Sequence, residues 1–206
     1  MTPLLSIHPT HPQPRLLQQV ENCLGADGVV VLPTDSAYAL CCQMGSKLGI
    51  ERIRKIRQLD PQHHFTLMCS NLSQLSQYTR FDTVQFRLLK AYTPGPYTFI
   101  LNATKEVPKI MQHPKRRTIG FRIPDNLIVQ NLLKSFDAPI MSVTLILPND
   151  KEPLVEIDDI QEQLDKQVDL IVDGGFCGVL QTSVIDLTSS LPVIIRIGKG
   201  DVSALS

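Results

Sequence analysis

Apolar positions recur along this chain at two periods, and the switches between them mark out its elements. Over residues 14–24, Leu16, Leu17, Val20 and Leu24 fall at the three- and four-residue spacing of one helix face. Gly25 and Gly28 bracket a turn into an apolar run at 29–32, which Pro33 closes, and residues 38–41 resume as a second strand. Ser46 reads as the N-cap of a helix through Ile56, with Ile50, Ile53 and Ile56 on one face. Residues 66–69 predict a strand, and 71–78 and 83–92 two short helices. Pro94-Gly95-Pro96 makes a rigid turn, because each proline fixes φ and lacks a donor. Further strands are predicted at 97–101, 118–123, 140–147, 170–173, 183–187 and 193–197, with a helix at 127–135. Strands alternating with helices predict an α/β or α+β protein. Several connections are too short for helical crossovers, so the expected sheet is mixed, with parallel and antiparallel pairs.

Composition narrows this picture. The chain has 206 residues, 43% of them hydrophobic, enough for a sizeable core and consistent with a single domain over 1–206. Lys plus Arg (20) equals Asp plus Glu (20), which excludes a uniformly basic nucleic-acid-binding surface but not a local one. Charge is in fact uneven. Residues 105–122 carry six Lys or Arg against one acid, Glu106, and residues 150–173 carry nine acids against two lysines. These are either two solvated stretches or the two sides of a polarised molecule. The five cysteines (Cys23, Cys41, Cys42, Cys69, Cys177) are odd in number and form no CxxC pair, which predicts reduced thiols in a cytoplasmic protein. The N-terminus has no secretory pattern and no apolar run approaches a membrane span.

Familiar catalytic signatures are absent: there is no GxxxxGK[ST] loop, no HExxH and no GxSxG. Gly174-Gly175-x-x-Gly178 reads as a turn or as a backbone anion nest. His8 and His11 lack the acid or cysteine that would complete a metal set, and no metal site is predicted. His63 and His64 share a polar loop before a strand. More informative are polar residues at strand ends: Thr34-Asp35-Ser36, Arg122, and Ser142 with Thr144. Strand ends in α/β folds converge on clefts, where a guanidinium suits a carboxylate or phosphate. Arg52, Arg54, Lys55 and Arg57 crowd one predicted helix end and could together neutralise a polyanion.

These segments resemble the YrdC/YciO family in order along the chain. Residues 33–40 (PTDSAYAL) are similar to its PTDTVYGL turn, Lys55-Ile56-Arg57 to its KxR, and residues 94–98 (PGPYT) to its PGPxT. Residues 118–124 (TIGFRIP) resemble its GxRxP strand, residues 138–142 the start of APxxSTSAN, residues 182–186 (TSVID) STVxD, and residues 195–198 (IRIG) the terminal xRxG. The resemblance implies a twisted mixed sheet around a deep cleft, in the single-domain form, and closest to the YciO branch.

It also implies a chemistry. Family members convert threonine, bicarbonate and ATP to threonylcarbamoyl-AMP and pyrophosphate, for threonylcarbamoyladenosine modification of tRNA. By resemblance Thr34, His63 (or its neighbour His64), Arg122 and Ser142 would hold threonine. Lys55, Arg57, Thr118, Thr144, Ser183 and Arg196 would line the ATP side, with Lys55 and Arg57 carrying the phosphate charge. Magnesium would arrive with ATP, and no permanent cofactor is implied. One departure bears on activity: where the family's SxN ends in Asn, this chain has Ile146. An amide donates and accepts and an isoleucine does neither, so weakened synthesis is expected. The alternative is a non-catalytic protein that binds double-stranded RNA, tRNA or ribosomal RNA; a third reading reverses threonylcarbamoylation in the same cleft.

Overall fold

The structure, a computed structural model, describes every residue except 61, 62, 64, 114, 190 and 206. In chain order the elements are β1 (Leu4–Ser6), α1 (Pro14–Gly25), β2 (Val30–Leu32), β3 (Ala39–Gln43), α2 (Lys47–Arg57), β4 (Thr66–Met68), α3 (Leu72–Tyr78), β5 (Thr79–Arg80), α4 (Thr83–Tyr92), β6 (Tyr97–Ala103), β7 (Thr118–Arg122), α5 (Leu127–Phe136), β8 (Ile140–Thr144), α6 (Ile157–Leu164), β9 (Leu170–Asp173), β10 (Ser183–Asp186) and β11 (Val193–Arg196).

Local chemistry starts these helices where the pattern predicts. Ser46 caps α2 by accepting from the Gly49 amide at 3.0 Å, and Asn126 caps α5 through Val129 N at 3.1 Å. Asp82 and Gln85 close a reciprocal capping box on α4. Helix α2 ends at Gln58, which turns into the left-handed region at φ 48°.

All eleven strands join one sheet in the order β1-β9-β2-β3-β8-β4-β7-β6-β10-β11, with β5 beside β6. The sheet is mixed: β1/β9, β2/β9, β4/β7 and β6/β10 are parallel, and the other pairs antiparallel. Strand parity divides the core between the two faces. Val29, Val31, Tyr38 and Leu40 enter one cluster with Ile50 and Ile53 of α2. Val30, Leu32, Ala39 and Cys41 enter the other, with Val20 and Leu24 of α1 and Val129 and Leu133 of α5. Each fully buried valine, leucine or isoleucine among them contributes about 1.5–3 kcal/mol relative to exposure.

Three elements escape the pattern. Strands β1 and β5 span three and two residues, too short to show a period; β1 exists through its pairing with β9 (Leu4 opposite Ile171). Helix α6 lies in the acidic stretch and buries Ile160 and Leu164, with Asp158 and Asp159 in its first turn, where the helix dipole favours them. Strand β8 stops at Thr144 and not at Leu147.

Candidate functional site

The same strands that are apolar beneath α1 and α5 become small and polar further along. On β4, Met68 joins the core while Thr66, two residues away on the same face, lines a cleft. On β8, Ile140 and Ser142 divide in the same way. Register then assembles the floor: Ser142 lies opposite Thr66, Thr66 opposite Gly120, and Gly120 opposite Ile100. A Cβ on Gly120 would come within 2.9 Å of Thr66 Oγ1 and 3.2 Å of Thr98 Cγ2, so glycine keeps this floor open. The resulting cleft encloses about 320 Å³.

Three arginines wall it. Arg122, at the end of β7, is 6% exposed. It donates from one Nη to the Asp35 carboxylate and from the other to Ser36 Oγ at 3.4 Å, while its buried Nε has no partner among the described residues. The other Asp35 oxygen accepts the Asp125 amide at 2.9 Å. Burial lowers the Arg122 pKa, and Asp35 works against that shift. Arg196, on β11, is held at 3.0 Å by Thr182 O and at 2.6 Å by the Gln181 side chain, and burial lowers its pKa too. Arg57, in the last turn of α2, has a buried Nε without a partner among the described residues and a pKa lowered by burial. Neither Arg57 nor Arg196 forms an ion pair among the described residues.

The sequence-derived candidates separate on this geometry. Arg57, His63, Arg122, Ser142, Thr144 and Arg196 line the cleft. Thr34 does not: its hydroxyl donates to Ala37 O at 2.6 Å and accepts the Ser36 and Ala37 amides, building the turn that presents Asp35 and Ser36. Lys55 is solvent-exposed outside the lining. Thr118 is buried with an unpartnered hydroxyl. Ser183, fully buried, donates to Gly200 O at 2.6 Å and accepts the Gly198 amide, pinning the tail. His64, the alternative to His63, lies outside the described residues.

The basic cluster on α2 does not act as a unit, because successive residues turn about 100° around a helix. Arg52 pairs with Asp169, Arg54 lies 5.1 Å over Phe65, and Arg57 alone reaches the cleft. The glycine run forms a turn, with Gly175 at φ 83° and Gly178 at φ 98°; Tyr38 donates to Gly175 O at 2.8 Å. Sequence reasoning gave no role to Thr66, Thr98 or Thr182. Their signal is parity: Thr98 and Ile100 share a face of β6, and Thr98 meets Thr182 across 2.8 Å.

The chain is thus a mixed-sheet α/β protein with a guanidinium-walled, hydroxyl-floored cleft, and guanidinium groups suit carboxylates and phosphates. The chain belongs to the family of Sua5, YciO and YrdC proteins, described under telomere recombination, which matches residues 22–198. It is 49% identical over 202 residues to the YciO protein of Escherichia coli K12, covering 98% of each chain. The crystal structure of E. coli YciO superposes over 100% of both chains with a TM-score of 0.96. A threonylcarbamoyl-AMP synthase of Vibrio vulnificus is 29% identical over 161 residues, 77% of this chain and 86% of that one. Sua5 of P. abyssi, solved with L-threonine, shares the fold at 21% identity, with a TM-score of 0.87 over 96% of this chain and 58% of its own.

Proposed function

We propose that the cleft binds ATP and an α-amino acid, and that the protein is a nucleotide-binding relative of threonylcarbamoyl-AMP synthase. The observation that carries this reading is the charge pattern of the walls. Among the described residues Arg57 and Arg196 have no carboxylate partner and suit phosphates, whereas Arg122 is paired with Asp35 and suits a zwitterion. An amino acid carboxylate would take the free Arg122 Nε–H, and Ser142 and Thr144 would orient the ligand. The threonine complex of P. abyssi Sua5 and the synthase activity of more distant relatives support this choice of ligands.

The chemistry follows in three steps. The neutral threonine amine adds to bicarbonate, forming an N–C bond and releasing water, to give a carbamate. A carbamate oxygen attacks the α-phosphorus of ATP. The bond to the β-phosphate oxygen breaks, and pyrophosphate leaves with its electron pair. Arg57 and Arg196 would stabilise the charge that develops on the phosphates. Magnesium would be held by phosphate oxygens, since the described residues offer no group of three or more His, Cys, Asp or Glu for a metal ion.

Ile146 tempers the rate. It lies just past β8, half-buried, with its amide donating to Thr144 O at 3.0 Å. Without an amide side chain there, synthesis is expected to fall by roughly tenfold to a thousandfold relative to a synthase that has the Asn. The test is incubation with ATP, magnesium, bicarbonate and labelled L-threonine, following pyrophosphate release and threonylcarbamoyl-AMP by mass. Slow, threonine-dependent product formation is expected. Absence of product together with absence of ATP binding by calorimetry refutes the reading.

A further inference from the structure

A second concave, cationic feature lies beyond the cleft. Arg80 of β5, Lys105 and Lys109 of the β6–β7 connection, and Arg117 just before β7 line one depression of about 700 Å³. No carboxylate lines it, and none of these four side chains forms an ion pair or hydrogen bond among the described residues.

The frame beneath these cations is internally satisfied. Gln112 donates to Val107 O at 2.6 Å, and Thr104 Oγ1 accepts the Glu106 amide at 3.3 Å. His113 Nδ1 accepts the Lys115 and Arg116 amides at 3.2 and 3.1 Å, and the Ala103 amide donates to Arg117 O at 3.0 Å. Backbone hydrogen bonds therefore tie together the described residues of the loop that carries these cations. Arg117 adds a second observation: it sits at φ 54°, in the left-handed region where a glycine or asparagine costs less. The chain keeps a long cation at a backbone position that disfavours it.

We propose that this depression is an anion site separate from the cleft, and that it takes a short phosphate chain, either free or as the tail of a nucleotide. Four cations converging on a concavity match the three or four negative charges of such a chain. Two guanidinium forks supply paired donors, and two ammonium groups supply compact charge. A rigid RNA duplex would bridge a hollow of this size, whereas a short chain can enter it; Lys115 and Arg116 are exposed and outside the lining. The site lies along the same β6–β7 ladder as the cleft. Ile100 opposite Gly120 belongs to the cleft floor, and Ala103 with Arg117 belongs to the depression. Three residues of strand, about 10 Å, separate them.

The test is titration of the full chain with inorganic tripolyphosphate, and separately with ATP, by calorimetry and by amide chemical shifts. The proposal expects tripolyphosphate to shift Thr104, Lys105 and Gln112. It expects the Lys109→Gln/Arg117→Gln variant to lose that binding by about tenfold or more, and high salt to weaken it. ATP binding in the cleft should be unchanged in this variant, which changes exposed side chains only. If ATP also shifts the depression, the phosphate tail of a nucleotide is a source; if only tripolyphosphate does, the chain is taken free. Shifts confined to the cleft, or equal affinity in the variant, overturn the proposal. So does binding of duplex RNA to this face by a protein that ignores tripolyphosphate. Cleft binding is read from its own shifts, so failure here is distinct from failure of the nucleotide reading.

Discussion

Removing the Asp35 carboxylate tests whether the cleft is organised around its buried ion pair. The side chains of Arg122 and Asp35 are 7% and 8% exposed, and Asp35 also accepts the Asp125 amide at 2.9 Å. In Asp35→Ala the guanidinium keeps its burial and loses its counter-charge. Breaking such a pair costs about 3–5 kcal/mol. Arg122 borders the cleft, where water can reach it, so the low end, about 3 kcal/mol, is the expected value. For a chain of this length that is a fall in Tm of roughly 6–12 °C. Chemical denaturation of Asp35→Ala, Arg122→Met and the double variant closes the cycle. The double variant should cost less than the sum of the single ones by about 1–3 kcal/mol, because no unpaired charge remains in it. Single costs below about 1 kcal/mol, or strict additivity, would show that the pair is solvated and that Arg122 is not organised by Asp35.

Further outcomes follow from the same geometry. Gly120→Ala places a methyl 2.9 Å from Thr66 Oγ1 and 3.2 Å from Phe65 O on the cleft floor. It should cost about 1–3 kcal/mol of stability and weaken ATP binding, as calorimetry would show. Burial pushes the Cys42 and Cys69 thiols up to about 12. Neither should be alkylated at pH 8 in the native protein over a time that fully labels the unfolded chain, and native-state labelling by mass spectrometry would contradict this. The Asp165 carboxyl is held below its ordinary 3.8, chiefly by the Thr2 amide at 2.7 Å. A depressed acid contributes its stability above the unfolded value and loses it as pH falls through the folded one, so Asp165→Asn should flatten stability against pH below about 4.

Much of the fold was legible because its core strands and capped helices carry their own periodicity. Helix α1, the Ser46 cap and the strand at 170–173 follow from side-chain spacing alone. Elements defined by a partner were not legible, as with β1, three residues fixed only by β9. The cleft divides in the same way. Arg122, Ser142 and Thr144 announce themselves as polar residues at strand ends. Thr34 and Ser183 have that signature too, yet the first closes its own turn and the second clamps the tail. A hydroxyl beside a strand reads identically in sequence whether it faces a ligand or a neighbouring carbonyl. Asp35 went unassigned for a related reason: its partner is 87 residues away, and only the sheet brings them together.

On the proposed reading, that pairing would also bear on how a ligand lies in the cleft. Three guanidinium groups line the cleft, and among the described residues only Arg122 has a carboxylate partner, which leaves the charge of Arg57 and Arg196 unpaired there. At an effective dielectric near 20, a phosphate oxygen about 4 Å from either gains about 4 kcal/mol before desolvation. Beside Arg122 the same phosphate would meet a guanidinium whose charge Asp35 already offsets, and would gain little. On the proposed reading, a ligand with phosphates at one end and a zwitterion at the other would therefore be favoured with its phosphates toward Arg57 and Arg196, and the Arg122–Asp35 pair would bear on direction of binding more than on affinity.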